Sequence, residues 1–399
     1  MHKIERLLQT LAPKGVEFRK LGEVCEILDN RRIPIAKNKR NPGIYPYYGA
    51  NGIQDYIDSY IFDGDFVLVG EDGSVINKDN TPVVNWASGK IWVNNHAHVL
   101  QTKNELKLKF LYFYLQTIDV SYCVAGTPPK INQENLKKIT IPIPPLEIQQ
   151  EIVKILDAFT ELNTELNTEL KARKKQYQYY QNMLLDFKDI HQNHKDAKIK
   201  TYPKRLKTLL QTLAPKGVEF RKLGEVLEYD QPNKYCVTGK EFDESYPTPV
   251  LTAGKTFILG YTNEKDNIYQ ASKSSPVIIF DDFTTATQWV DFPFKVKSSA
   301  MKILLPKNPT INIRFIFFYM QTIPYNISGE HTRQWISRYS KITIPIPPLE
   351  IQQEIVKILD QFSILTTDLL AGIPAEIEAR KKQYEYYREK LLSFKPLKA

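Results

Sequence analysis

The sequence KITIPIPPLEIQQEIVKILD occupies residues 138–157 and returns unchanged at residues 341–360. A second stretch, LLQTLAPKGVEFRKLGEV, spans residues 7–24 and also returns unchanged, at residues 209–226. The two offsets along the chain are nearly equal, 203 residues (138 to 341) and 202 residues (7 to 209). The chain therefore consists of two halves built on one frame. Two units of this length predict a pseudo-twofold repeat, because a solenoid requires many short units.

Each copy of the first block predicts a short strand followed by a long helix. The alternate prolines of ITIPIPP exclude the centre of a sheet. Apolar residues then recur in steps of three and four from Leu146 and from Leu349 onward, which is the helical period. We expect helical rods over residues 146–188 and 349–395, the first about 60 Å long at a rise of about 1.5 Å per residue.

An apolar stripe on a long, otherwise polar helix requires a partner. If an internal twofold axis relates the halves, the two rods pack antiparallel as a coiled coil. The alternative is two separate helices, each buried on its own domain. Because a proline inside a helix removes a hydrogen bond and clashes with the preceding turn, Pro374 beside Gly372 predicts a kink or short break in the second rod. The residues expected to pair the rods are Ile152, Ile155, Phe159, Leu162, Leu166, Ile355, Ile358, Phe362, Leu365 and Leu369.

The first rod contains a four-residue repeat, TELNTELNTEL, at residues 160–170. One interpretation is chance in a helix rich in Glu and Leu. The other is a ruler, because one added unit lengthens a helix by about 6 Å. The second rod has LTTDLLAGIPAEIE in place of this repeat, so the two rods are not equivalent.

The segments between the repeated blocks, residues 29–135 and 229–338, share little beyond their length and their content of aromatic, Gly and β-branched residues. Strand-like runs bounded by Gly, Asn and Asp turns predict a β-rich domain in each half, with one short apolar helix near residues 107–117 and near 312–322. The predicted fold class is α+β, with two β-rich domains joined by two long antiparallel helices. The expected boundaries are residues 1–145 (first domain), 146–188 (first helix), 189–205 (polar linker), 206–348 (second domain) and 349–395 (second helix).

The charge of the chain is basic, with 54 Lys and Arg against 45 Asp and Glu, a net charge of +9 and a pI near 9.0. This excess favours a polyanionic partner, although a basic surface can also serve solubility alone. The three cysteines, Cys25, Cys123 and Cys236, form no disulfide or metal pattern and favour a reducing cytosol. We expect no signal peptide and no membrane span, since no run of about 18 apolar residues occurs, and therefore a cytoplasmic protein.

The doubled frame, the unlike inserts and the segment IPIPPLEIQQEIVKILD before a long helix resemble the specificity subunits of type I restriction-modification systems. The resemblance covers nearly the whole chain. It implies two target recognition domains that each read one half of an asymmetric bipartite site on double-stranded DNA, with helices that set the spacing. It also implies docking of two methyltransferase subunits and of restriction subunits, which would carry S-adenosylmethionine, ATP and Mg²⁺, while this chain holds no cofactor. The alternative is a free-standing sequence-specific DNA-binding protein.

The sequence lacks the motifs that catalysis of these reactions requires. A methyltransferase of this kind needs Asn or Asp before Pro-Pro and an aromatic residue, whereas the nearest string is TPPK at residues 127–130. No GxxxxGK[ST] phosphate loop occurs. The acids of the inserts, such as Glu71 and Asp282, are interpreted as turn residues flanking strands. His96 and His98 lie two residues apart and are expected on one face of a strand, but no third metal ligand accompanies them. We therefore expect a non-catalytic chain without a metal site.

Readout of DNA requires side chains that reach base edges, such as Arg to guanine and Asn or Gln to adenine. Contact with phosphates requires Lys, Arg and small polar groups. The basic loop of residues 31–40 is the strongest candidate in the first insert, although each residue alone could be an ordinary solvated loop residue. The candidate DNA contacts are Arg31, Arg32, Lys37, Lys39, Arg40, Tyr48, Asn51, Thr127, Lys130, Asn132, Gln133, Lys255, Thr284, Thr285, Gln288, His331, Arg333, Gln334 and Arg338.

Overall fold

The computed structural model describes residues 2–73, 75–187, 202–253, 257–324, 332–367 and 372–397. The chain divides into two compact units. Unit 1 comprises Met1–Thr168 with Glu376–Ala399, and unit 2 comprises Glu169–Ala375. Both units mix helices and sheets, so the expected α+β class with an internal repeat is confirmed. Among the described residues, no helix combines the length and the apolar character that crossing a membrane requires.

Unit 1 begins with a helix, and its described strands all precede the first long helix. Its elements are α1 (His2–Leu11), β1 (Glu17–Lys20), α2 (Leu21–Val24), β2 (Cys25–Ile27), β3 (Pro42–Gly49), β4 (Gly52–Ile57), β5 (Phe62–Gly70), β6 (Val84–Val93), β7 (Ala97–Thr102), α3 (Leu108–Leu115), α4 (Gln133–Lys138), β8 (Thr140–Ile143) and the start of α5 (Leu146–Leu185). Short 3-10 helices lie at Asp29–Arg31, Lys37–Lys39 and Ser121–Cys123.

Unit 2 repeats this order of elements. Its elements after α5 are α6 (Lys204–Leu213), β9 (Glu219–Lys222), α7 (Leu223–Val226), β10 (Leu227–Asp230), β11 (Thr248–Leu251), β12 (Ile258–Thr262), β13 (Val277–Asp281), β14 (Thr287–Val290), β15 (Lys295–Val296), β16 (Met301–Pro306), α8 (Ile313–Met320), α9 (Gln334–Ser337), β17 (Thr343–Ile346) and α10 (Leu349–Thr367). Its 3-10 helices lie at Pro232–Tyr235 and Tyr339–Lys341. The last helix, α11 (Ile373–Leu392), belongs to unit 1 from Glu376 onward.

The sheets of the two units have one topology despite their unlike sequences. Unit 1 has a six-stranded sheet in the order β2-β7-β5-β6-β3-β4, in which the end of β6 runs parallel to β3. Unit 2 has the same order in two pieces, β10-β16-β13-β14 and β12-β11-β15. Pro293 lies between β14 and β15, and a proline has no N–H to donate to a ladder, so the strand that is continuous as β6 is divided there.

The prolines of the repeated block lie in a two-stranded ribbon in each unit. Strand β8 pairs only with β1, where Pro142 lies opposite Phe18, and β17 pairs only with β9, where Pro345 lies opposite Phe220. The expectation that these prolines stay out of a central strand is therefore confirmed.

A fully buried glutamine accounts for part of the exact repetition of LEIQQEI. The Gln149 side chain accepts the Lys107 N–H at 2.8 Å and donates to the carbonyls of Glu105 and Pro144 at 2.9 and 2.7 Å. In unit 2 the Gln352 side chain makes the corresponding three bonds, at 2.8, 3.1 and 2.7 Å. Each glutamine thus fixes the loop before the short apolar helix (α3 or α8) against the start of the long helix.

The helices pair antiparallel within each unit. In unit 1 the ring of Phe159 stacks on Tyr387 at 5.5 Å, and Leu156 shares a core with Leu391 and Leu392, so α5 and α11 run in opposite directions. In unit 2 the ring of Tyr180 stacks on that of Phe362 at 4.9 Å, and Leu184 shares a core with Ile355, so α5 and α10 also run in opposite directions. The same two types of aromatic residue therefore meet in both units.

The expected stripe is buried unevenly. Ile152 and Ile355 are fully buried, each in a hydrophobic core that also includes strand residues of its own β-rich domain. Leu162 and Leu365, by contrast, are 44% and 45% exposed. Ile155, Phe159, Leu166, Ile358 and Phe362 are half-buried, and Leu369 lies outside the described residues. Each long helix is therefore held both by its own domain and by a partner helix, which combines the two alternatives that the sequence left open.

The second rod is not one helix over residues 349–395. Helix α10 is described as far as Thr367, Gly372 lies in a bend, and α11 begins at Ile373, so that Pro374 is the second residue of a new helix. A proline is well tolerated at a helix start, because the first N–H groups have no partner within the helix. This agrees with the interruption expected from Gly372 and Pro374.

An ion pair beside a tryptophan joins the domain to the long helix in each unit. In unit 2 the Arg314 guanidinium lies 2.8 Å from Asp360 and 4.5 Å from the centre of the Trp289 ring. We expect Arg314→Ala to lower the free energy of unfolding of unit 2 by about 1–2 kcal/mol, because it removes a half-buried ion pair and a cation–π contact. Urea unfolding followed by tryptophan fluorescence measures this. The control Arg205→Ala removes a more exposed ion pair and should shift the transition less; an equal shift in both variants would contradict the prediction.

Candidate nucleic-acid interface

A buried network of charged side chains joins three loops of unit 1. The His98 side chain on β7 is fully buried, and its Nδ1 lies 2.6 Å from the carboxylate of Asp29, which follows β2. Its Nε2 lies 2.8 Å from the backbone carbonyl of Ile131. The Glu71 carboxylate, which follows β5, lies 3.7 Å from His98 Nδ1. The loops at residues 29–32, 71–73 and 130–133 are therefore fixed to one another through one side chain.

Basic side chains complete this network. The Arg32 guanidinium lies 2.5 Å from the Glu71 carboxylate and donates to the Ala97 carbonyl at 2.8 Å. Lys130 Nζ lies 3.1 Å from the other oxygen of Glu71. The Gln133 amide donates to Asp29 at 3.3 Å. We name this set (Asp29, Arg32, Glu71, His98 and Lys130) the unit 1 ionic node.

The electrostatics of the node favour the ionised form of Asp29. Burial opposes ionisation of Asp29, but the hydrogen bond and charge of His98, the charge of Arg32 and the Val99 N–H together hold the pKa of Asp29 below its usual range. The oxygens and nitrogen of Asp29, Glu71 and His98 lie within 4.8 Å of one another, as metal ligands would. A divalent cation does not fit this place, however, because Arg32 and Lys130 already bind Glu71 and would repel it.

Unit 2 has a comparable cluster around Asp282, which follows β13. Lys302 on β16 is buried; its Nζ contacts the Gln231 side-chain oxygen and lies 3.5 Å from the Asp282 carboxylate. The Arg333 guanidinium lies 3.9 Å from the same carboxylate, and the backbone N–H of Trp335 donates to the Asp282 carboxylate at 2.8 Å. Burial lowers the pKa of Lys302, and the charge of Asp282 offsets this only in part. We name Gln231, Asp282, Lys302 and Arg333 the unit 2 ionic node.

The remaining candidates of unit 1 divide into exposed and anchored residues. Tyr48 is buried in the sheet, and Arg40 is held by Asp55 at 3.3 Å with its guanidinium over the Tyr47 ring. Asn132 caps α4 through its side chain, which accepts the Asn135 N–H at 2.8 Å. The exposed candidates of unit 1 are Arg31, Lys37, Lys39, Asn51, Thr127, Lys130 and Asn132.

In unit 2 the candidates gather at the corner after β13. The Thr284 hydroxyl donates to Asp281 at 2.5 Å, and Thr285, with a φ of 61°, is buried in the same turn. Gln334 is also buried, and its backbone N–H donates to the Asp282 carbonyl at 2.8 Å. The exposed candidates are Thr284, Gln288, Arg333 and Arg338, while Lys255 and His331 lie outside the described residues.

Comparison with known proteins decides the family. The family model described as the type I restriction modification DNA specificity domain matches the chain twice, at residues 13–176 and 215–379. The chain belongs to this specificity family. It is 34% identical over 98% of both chains to a protein of Haemophilus influenzae named as a type I restriction enzyme specificity subunit, S.HindORF215P. It is 55% identical to the EcoR124I/EcoR124II specificity subunit of Escherichia coli over 188 residues, which are 45% of each chain.

The fold of this specificity subunit also occurs in a solved structure. The S subunit of a type I restriction-modification system from M. genitalium superposes with a TM-score of 0.67, covering 95% of this chain and 96% of that one, at 17% identity. At this identity the likeness concerns the fold alone. Specificity subunits are non-catalytic as a family.

Sequence reasoning on this specificity subunit missed the buried members of the ionic nodes. It interpreted Glu71 and Asp282 as turn acids, considered His98 only as a metal ligand beside His96, and did not consider Lys302. His96 precedes β7 and is about half exposed beside Asp72, so the two histidines do not share a strand face. A signal was nevertheless present, because His98 and Lys302 are single basic residues inside the otherwise apolar strands AHVL and MKILL.

Proposed function

We propose that this specificity subunit reads an asymmetric bipartite site on double-stranded DNA, with one target recognition domain for each half-site. The observation that supports this most is one sheet topology presented twice with unlike loops. The corner of unit 1 presents Asn132, and the corner of unit 2 presents Thr284. Since base readout depends on which side chains reach the groove, two unlike sets favour two different half-sites.

The exposed candidates fall into two chemical groups. Arg31, Lys37 and Lys39 in unit 1 and Arg333 and Arg338 in unit 2 are exposed cations suited to phosphates. Side chains with amide or hydroxyl groups, such as Asn51 and Gln288, can distinguish bases. The remaining candidates support these loops by the contacts described above; Tyr48, Thr285 and Gln334 are buried, and Arg32, Arg40 and Gln133 are half-buried.

The paired helices supply the second part of the proposal. We infer that they set the spacer between the half-sites and dock two modification subunits, with restriction subunits completing the assembly. S-adenosylmethionine, ATP and Mg²⁺ then belong to those partners, which methylate the N6 of an adenine in each half-site and cut DNA. The aromatic pairs that join the helices would keep the spacing rigid.

The test is to co-express the chain with the modification subunit encoded beside it and to map N6-methyladenine across the host genome. We expect one new motif with two unlike half-sites around a fixed non-specific spacer. The modification subunit expressed alone is the control and should give no such motif. Tight DNA binding by this chain alone, with no complex and no new methylation, would instead support a free-standing DNA-binding protein.

A further inference from the structure

The two ionic nodes lie at the same register of the two sheets. In unit 1 the residue of β5 opposite His98 lies two places before Glu71. In unit 2 the residue of β13 opposite Lys302 lies two places before Asp282. A buried basic side chain and a carboxylate therefore occupy the same two positions in both recognition domains, within inserts whose sequences are otherwise unlike.

A third position corresponds as well. The backbone carbonyl of Glu71 accepts the N–H of Ile131, and the backbone carbonyl of Asp282 accepts the N–H of Gln334, both at 2.8 Å. The residue just before the donor is basic in both units. Lys130 Nζ lies 3.1 Å from Glu71, and the Arg333 guanidinium lies 3.9 Å from Asp282. Lys130 and Arg333 are thus equivalent residues that the sequence alone does not align.

In unit 1 the members of the node differ in exposure. The carboxylates of Asp29 and Glu71 are joined by Arg32, whose side chain is only 11% exposed. Both ring nitrogens of the fully buried His98 face acceptors, a carboxylate and a backbone carbonyl. Lys130 is therefore the cation of this node that reaches the surface.

The same difference in exposure holds in unit 2. The carboxylate of Asp282 is buried, and Lys302 faces it as the buried cation. Arg333 is the cation of this node that reaches the surface. The two side chains are similarly placed, since Lys130 is 46% and Arg333 48% exposed. Each is half-exposed above a carboxylate that limits its freedom.

We propose that Lys130 and Arg333 bind DNA phosphates at equivalent positions of the two half-sites. This rests on the proposed function, because it assumes that both domains bind DNA with the same face. A phosphate contact fixes the register of a protein on the duplex without reading bases. A cation already restrained by a carboxylate loses less conformational freedom when it binds. Each domain would then dock on its half-site through an equivalent phosphate contact, while the exposed loops, which differ between the units, contact different bases.

The experiment measures binding of the complete complex to a duplex carrying its mapped target, at several salt concentrations. We expect Lys130→Ala and Arg333→Ala each to weaken binding about 3- to 10-fold near physiological salt and to lower the slope of log K against log salt by about 0.9. The double variant should lower the slope by about twice as much. Lys130→Arg and Arg333→Lys keep the charge and should keep the slope, and all variants should keep the target sequence.

Matched controls are available in the repeated frame. Lys14 and Lys216 are exposed and stand at equivalent places of LAPKG, so Lys14→Ala and Lys216→Ala remove the same charges and should leave the slope unchanged. A wild-type slope in Lys130→Ala and Arg333→Ala, with wild-type binding of a bipartite target, overturns the inference while the proposed function stands. A reduced slope in only one of them overturns the equivalence. Absence of a bipartite target for the wild-type complex overturns the proposed function itself.

Discussion

Removal of one TELN unit from residues 160–170 is expected to shorten the non-specific spacer of the DNA target and to leave both half-sites unchanged. Helix α5 is continuous from Leu146 to Leu185, beginning in unit 1 and ending in unit 2, so four residues fewer make it about 6 Å shorter. This corresponds to one or two base pairs at about 3.4 Å each. Methylation of the original site should fall at least about 100-fold, because the two recognition domains can no longer contact both half-sites at the original spacing.

The repeat is suited to such a change because its local bonds are periodic. The hydroxyls of Thr160, Thr164 and Thr168 each donate to the carbonyl four residues earlier, at 2.9, 2.8 and 2.8 Å. Deletion of one unit therefore leaves the same bonds in a shorter helix. Insertion of one unit should lengthen the spacer by the same amount.

Mapping of N6-methyladenine in cells that express each variant with the modification subunit measures the spacer. Glu165→Gln alters an exposed side chain of the repeat without altering its length and should leave the spacer as it was. An unchanged spacer in the deletion variant, with methylation still present, would show that the repeat is not a ruler.

Much of the architecture could be predicted from the sequence because the same framework sequences occur in both halves of the chain. The repeated block predicted a ribbon strand with alternate prolines and the start of each long helix at Leu146 and Leu349, as observed. The interruption near Pro374 followed from the chemistry of proline. The burial of Ile152 within the domain core could not be predicted, because helical periodicity marks an apolar face without showing what covers it.

The candidate site could be predicted only as a set of exposed polar loops. Composition cannot distinguish Arg32, whose guanidinium is bound by Glu71, from Arg31, which is exposed one residue earlier. That difference depends on strands that are distant in sequence. The equivalence of Lys130 and Arg333 likewise depends on strand register. It cannot be found by aligning the two inserts, because their sequences differ.

Replacement of Gln149 by alanine is expected to destabilise unit 1 by about 3–5 kcal/mol. Gln149 is fully buried, and its removal leaves the half-buried N–H of Lys107, the half-buried carbonyl of Glu105 and the buried carbonyl of Pro144 without their partner. Each buried polar group left without a hydrogen bond costs about 1–3 kcal/mol, and entry of water relieves only part of this cost. Gln352→Ala should destabilise unit 2 by a similar amount, because its three bonds correspond.

Chemical denaturation of the purified chain, followed by circular dichroism, measures both effects. The neighbouring Gln150 and Gln353 are exposed, so Gln150→Ala and Gln353→Ala are matched controls and should shift the transition by less than about 0.5 kcal/mol. Since Gln149 and Gln352 lie in different units and share no partner, each variant should affect its own unit, and their effects should add in the double variant. Equal transitions for Gln149→Ala and Gln150→Ala would mean that the exact repetition of this glutamine is maintained by something other than these three bonds.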